Sequence, residues 1–192
     1  MHNGVLSTRS PAGLRLRLIA LSLDYVLICG YIVFLAAVST LVRRGPLRHR
    51  VDSLFVTPTR RDLGAFVTLI LPVMLYFAYY ESSPQRATWG KRTLGLQVVD
   101  VHGKRLSRAR ALTRAALKFL PWQVAHTSLF HIPGWPLTAT SVPPAAQAGL
   151  SLVWVMVVAY VVSMMTSKHH QTLYDQLLGS IVIQSDGDTE VK

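Results

Sequence analysis

The chain has one cysteine, Cys29, in 192 residues. An intramolecular disulfide and a cysteine-rich metal site are both excluded, and the thiol reads as a small packing residue inside an apolar run. Acidic residues are nearly as scarce, nine against twenty basic ones, and charged residues make up only 15% of the chain. From Leu18 to Val42 the only charge is Asp24, and Leu63 to Tyr80 and Phe119 to Ser167 contain none. Such stretches exclude an ordinary soluble domain. The hydrophobic fraction is 51% and the mean hydropathy +0.34, and the apolar residues come in long blocks instead of short periodic stripes. The composition is that of an integral membrane protein.

Several kinds of chemistry are missing as well. Gly90-Lys91-Arg92-Thr93 fails as a phosphate-binding loop, because no glycine stands five residues before Gly90 and Arg follows the lysine where Ser or Thr is required. Ser180 lacks the glycine two residues on that a nucleophile elbow needs. His126, His131, His169 and His170 form no i, i+4 pair with a companion acid, so no metal site is expected. The sequence thus predicts neither an enzyme nor a cofactor. A formal charge of +11 would raise nucleic-acid binding in a soluble domain. Here the basic residues lie outside the apolar blocks, where membrane topology and anionic lipid headgroups place them, and no nucleic-acid partner is expected.

What is present begins with Arg17 and Asp24, at the mouth and in the body of the first apolar segment. Their spacing of seven is two helical turns, so both fall on one face, about 10.5 Å apart along the axis. They share a stripe without neutralising each other. The run from residue 18 to 42 is long enough to cross a bilayer core of about 30 Å, and it is too long, with an acid inside, for a secretory signal. The segment before it, with Arg9, Arg15, Ser10-Pro11 and Gly13, reads as an exposed lead-in. A loop from 43 to 62 carries six arginines, and a second span follows from 63 to 80, with Pro72 as a kink and an aromatic end suited to the interface.

From Glu81 the composition changes. Leu96 to Val101 is a short β-branched strand after Gly95, His102-Gly103 a tight turn, and Ser107 to Lys118 a basic helix whose Arg110, Arg114 and Lys118 form a stripe expected to face lipid headgroups. A third span at 112–132 requires that helix to dip into the membrane with its cations snorkelling back, and the alternative of three spans stays open. Residues 145–167 form a clean span. Ile181 to Gln184 is a second β-branched piece, preceded by Gly179, and pairs with the first into a small sheet; an acidic tail, Asp186 to Glu190, ends the chain.

The predicted fold is therefore an all-α integral membrane protein, a four-helix transmembrane bundle with a small cytoplasmic β element, in a single domain. With four spans, the lead-in, the second loop and the tail share fourteen Lys and Arg, against six in the first loop and none in the third. The positive-inside rule puts both termini in the cytoplasm of a multi-pass cell (inner) membrane protein. With three spans the C-terminus would lie outside.

Arg17, Ala20 and Asp24, then Thr88-Trp-Gly-Lys-Arg-Thr-Leu-Gly-Leu-Gln-Val-Val-Asp100, then Gln171-Thr-Leu-Tyr-Asp-Gln-Leu-Leu-Gly179 together resemble the RDD family of membrane proteins. The arginine and two aspartates of that family's name correspond to Arg17, Asp24 and Asp175. The Pro-rich stretch from Leu120 to Pro144 departs from the pattern. The resemblance implies transport, with sodium/proton exchange as one form. Arg17, Asp24 and Asp175 are the transport or bundle-locking candidates, and Glu81, Gly90, Lys91 and Gly95 the secondary ones. An acid at the centre of a membrane helix costs roughly 2.5–3.5 kcal/mol on insertion scales, so Asp24 needs a proton, a cation or hydrogen-bond donors. Three readings stay open: a transporter of small ions or solutes with Asp24 as cation ligand, a lock in which Arg17 pairs with Asp175, and an accessory subunit docking on a larger membrane complex. Homo-oligomerisation is compatible with the first.

Overall fold

The computed structural model describes residues 10–46 and 48–185. The lead-in before Ser10, including Arg9, and the acidic tail from Asp186 lie outside the described residues. Helices dominate, and three stretches are long and apolar enough to cross a membrane: Leu14–Arg44, Pro58–Glu81 and Pro144–Thr166.

The first of these is a single helix, α1 (Leu14–Arg44), of 31 residues, about 46 Å at 1.5 Å per residue. α2 (Arg48–Leu54) and α3 (Pro58–Ala65) follow. The arginine-rich segment from 43 to 62, expected as a loop, is thus largely helical. Thr57 explains the second of these helices, since its hydroxyl accepts the Arg60 N–H while Pro58 sits at the first helical position, where a missing N–H costs nothing. A π-helical turn, Phe66–Ile70, leads into α4 (Leu71–Glu81). α5 (Trp89–Thr93) precedes strand β1 (Leu96–Asp100). α6 (Arg108–Phe130) runs unbroken through Pro121, so the basic helix and the apolar stretch after it are one element. Its first half carries Arg108, Arg110, Arg114 and Lys118, which keeps it off the list of helices apolar enough to span. α7 (Pro144–Thr166), α8 (Leu173–Leu178) and β2 (Ser180–Gln184) complete the chain.

By its contacts the chain falls into two units. The first comprises residues up to Val26, Met74–Lys118 and those from Val158 onward. Its centre is the antiparallel pair β1–β2, in register from Leu96 opposite Gln184 to Asp100 opposite Ser180. Both edges of this ribbon are closed, which removes a liability of exposed strands. Val98 donates to the Arg86 carbonyl at 2.7 Å on one side, and Ala12 donates to the Val182 carbonyl at 2.8 Å on the other. Both faces are buried too. Leu96, Val98 and Val182 pack with Ala12, Ala20, Leu106 and Ala111, while Val99, Ile181 and Ile183 form a separate apolar cluster. Burial on two sides is why apolar residues stand at successive positions, Val98-Val99 and Ile181-Val182-Ile183, instead of alternating with polar ones. At the end of β1, one Asp100 carboxylate oxygen accepts the N–H groups of His102 and Lys104, at 2.9 and 2.8 Å, and so builds the turn expected at Gly103.

The second unit comprises Leu27–Val73 and Phe119–Val157. Its side chains are largely apolar and exposed, Val33, Phe34, Leu41 and Trp154 among them, as a surface covered by lipid would be. Inside it, Asp62 accepts from Gln123 at 3.0 Å and from Thr127 at 2.8 Å, which ties α3 to α6.

Two helix prolines are accommodated by one device. Proline supplies no N–H, so the carbonyl four residues earlier loses its usual donor. For Pro72 that carbonyl is Thr68, and it accepts the Tyr31 hydroxyl at 2.6 Å. For Pro121 it is Leu117, which accepts the Tyr160 hydroxyl at 2.7 Å. Each tyrosine thus satisfies a helix carbonyl that lipid could not. Tyr160→Phe should lower stability by about 1–3 kcal/mol through the orphaned carbonyl. Replacing Pro121 by Ala in the same protein should restore most of it, read as thermal unfolding in detergent; equal losses with and without the proline would refute the pairing.

Candidate functional site

The charged residues singled out in the sequence converge in the first unit. Asp175 is set in place locally: Thr172 caps α8, its hydroxyl accepting the Asp175 N–H while the Asp175 side chain accepts from the cap, a reciprocal capping box. The same carboxylate then reaches much farther. Its Oδ2 accepts from Arg17 Nη1 at 3.2 Å and from the Thr172 hydroxyl at 2.9 Å; its Oδ1 accepts from Arg114 Nε at 2.8 Å and from the Ser180 hydroxyl at 2.8 Å. The expected Arg17–Asp175 pair is therefore present, together with a second cation that the sequence did not assign to it.

Arg114 bridges two acids. Its Nη1 donates to Glu81 Oε2 at 2.6 Å, and Lys91 Nζ donates to the other Glu81 oxygen at 2.5 Å. The result is an alternating row, Arg17–Asp175–Arg114–Glu81–Lys91, in which both acids are fully buried. The basic stripe on α6 thus divides instead of facing headgroups as a whole. Arg114 is 2% exposed and lies over the Tyr174 ring, 5.2 Å from its centroid. Arg110 donates to the Leu178 and Gly179 carbonyls at the end of α8. Lys118 stands 3.6 Å from the centroid of Phe77. Ala111 and Ala115 beside Arg114 are both fully buried, and these small residues were the sequence signal that this face of α6 meets protein.

Asp24 is also buried, and among the described residues it joins no ion pair. It accepts from the Thr88 hydroxyl at 2.6 Å, the Gly90 N–H at 2.8 Å and the Tyr76 hydroxyl at 3.0 Å. The Tyr76 oxygen in turn accepts the Trp89 N–H at 3.1 Å. Thr88 occupies the cap position of α5 without capping it. Asp24 and Tyr76 take over that function from other elements, receiving the first two N–H groups of the helix, which are the ones a helix cannot satisfy itself. Gly90 is required by this approach: a Cβ there would run into the Ala20 carbonyl oxygen and stand 2.9 Å from the Asp24 nitrogen. Gly95 serves the chain path instead, at φ +63° between α5 and β1, with its carbonyl accepting from Ser185 at 2.6 Å.

Arg17, Leu21, Asp24, Lys91, Arg114, Lys118 and Thr172 contribute to the wall of a cavity of about 100 Å³. Among the described residues no three His, Cys, Asp or Glu side chains converge as a metal site.

Long apolar helices joined to a buried charge row define a multi-spanning membrane protein. The RDD family model matches residues 11–179, nearly the whole chain, and the protein belongs to the RDD family. No curated protein and no solved structure matches it.

Removing one member of a buried ion pair strands the other, at a cost of about 3–5 kcal/mol. Arg114→Gln withdraws a cation from both acids, leaving Asp175 to Arg17 and Glu81 to Lys91, whereas Lys91→Gln withdraws one from Glu81 alone, so Arg114→Gln should lower thermal stability more; equal losses in detergent would show that Arg114 is not the shared support. A second expectation concerns acid. Burial raises the Asp175 carboxyl, but Arg114 and Arg17 outweigh burial and hold it below the usual 3.8. Its contribution to stability is therefore present above the unfolded value of about 3.9 and lost as pH falls from there through the lowered folded value. Asp175→Asn should flatten the acid limb of a stability–pH profile, and an unchanged limb would remove Asp175 from that role.

Proposed function

We propose that the protein is a transporter of small ions or solutes in the cell membrane, crossing it four times with α6 as the third span and both termini cytoplasmic. The observation that carries the reading is the cavity beside Arg17 and Asp24, because charged groups within membrane-spanning helices are costly and mark ion and solute pathways. The Arg17–Asp175 pair supports the topology, since an even number of crossings between them brings both to one side. The reading assigns no catalytic step and no cofactor to the chain. It leaves homo-oligomerisation and contact with anionic headgroups as proposed associations.

Cation/proton exchange would run through Asp24. Among the described residues its donors come from the turn at 88–90 and from Tyr76, so a cation replacing them requires that turn to move. A second reading has its own support. The oxygens of Asp24, Glu81 and Asp175 are all engaged, as a lock in a structural or accessory subunit would have them.

Reconstitution into sealed vesicles with an internal pH dye tests the exchange. Under imposed sodium, potassium or lithium gradients the wild-type protein should show a cation-dependent pH change, and a folded Asp24→Asn variant should lose it. No change with either would end monovalent-cation/proton exchange for those ions. A heteromeric partner retained in mild detergent would favour the subunit reading.

A further inference from the structure

We infer that the cavity beside Arg17 binds a small monovalent oxyanion, a carboxylate or phosphate group held side-on by the Arg17 guanidinium. The inference rests on the cavity being a solute site, and adds the sign and shape of what enters it.

Two independent observations lead there. The first is charge. Among the described residues that line the cavity, Arg17, Lys91, Arg114 and Lys118 are basic and Asp24 alone is acidic. The wall thus offers an incoming anion more basic than acidic side chains, in a place where charge is poorly solvated. The second is geometry. Arg17 spends only Nη1, on Asp175 and on the Met164 sulfur at 3.4 Å. Its Nε and Nη2 are buried and have no hydrogen-bond partner among the described residues. These two nitrogens form one edge of the guanidinium, with parallel N–H groups that match two oxygens of a carboxylate or phosphate. Buried donors left in this way call for an acceptor.

Size agrees with a small ligand. About 100 Å³ is the space of roughly three liquid waters, enough for acetate or inorganic phosphate.

The test is ligand-dependent stabilisation of the purified full chain, with thermal unfolding followed by tryptophan fluorescence. Sodium acetate and sodium phosphate are titrated against sodium chloride at matched ionic strength. A saturable rise in Tm with acetate or phosphate, well above that with chloride, is expected. Arg17→Lys keeps the charge and the pairing with Asp175 but has no side-on edge, and should lose the rise. Leu21→Phe should lose it by filling the cavity, with no change in charge, and serves if the lysine variant does not fold.

The source of the oxyanion is distinguished by lipid. A response to inorganic phosphate or acetate in purely zwitterionic nanodiscs indicates a free solute. An anionic phospholipid retained in native mass spectra by the wild type and lost from Arg17→Lys indicates a headgroup. Responses to acetate and phosphate no larger than to chloride, with no retained lipid, would overturn the inference, as would a full response in both variants. The vesicle assay stands apart from this: cation-dependent flux without oxyanion binding would sink the inference alone, and binding without any flux would sink transport alone.

Discussion

Arg114 touches two carboxylates at once, and it is the cation they share. Glu81 closes the second apolar stretch and Asp175 opens α8, and both are removed from water. A buried carboxylate survives as an anion only when cations and hydrogen bonds replace its hydration. One planar guanidinium does this for both, aided by Arg17 at one end of the row and Lys91 at the other. Lysine in its place would be a point charge and could not span the two acids in the same way. Five elements, α1, α4, α5, α6 and α8, therefore share one electrostatic solution, to which the sheet adds the Ser180 hydroxyl at the start of β2.

The two aspartates of the family's name do different work. Asp175 is an ion-pair partner that also shapes its own helix. Asp24 is met by neutral donors among the described residues and acts as the missing cap of a helix more than sixty residues away in sequence. Both solve the same problem of an acid in an apolar setting, one by opposite charge and the other by N–H and O–H groups gathered from a tight turn. That difference also explains why Gly90 belongs beside Asp24: the backbone itself is the ligand, so it must come close.

Much of this was legible in the sequence because it has a periodic or charged signature. The apolar runs foretold three of the long helices, β-branched residues after glycines foretold β1 and β2, and the family motifs placed Arg17 and Asp175 together. Hidden features lack such a signature. The partners of Asp24 are a hydroxyl, a phenol and an amide N–H, which carry no charge to count. The spacing of Arg110, Arg114 and Lys118 defines a face but not what that face meets, and the buried Ala111 and Ala115 were the unread clue. Arg43 to Asp62 reads as loop because its polar residues conceal a Thr-Pro helix start at Thr57-Pro58.

The separation of Arg17 and Asp175 by 158 residues has a consequence for synthesis. Synthesis in the N-to-C direction delivers Arg17 before the rest of the row and Asp175 after it, so until then the row has cations awaiting an acid. Glu81 emerges before Lys91 and Arg114, and gives the growing chain a first pair; the last helical turn then supplies the carboxylate that completes it. Final closure is thereby assigned to residues that follow every long helix, and the ribosome's order of delivery becomes a check that all the preceding segments are in place.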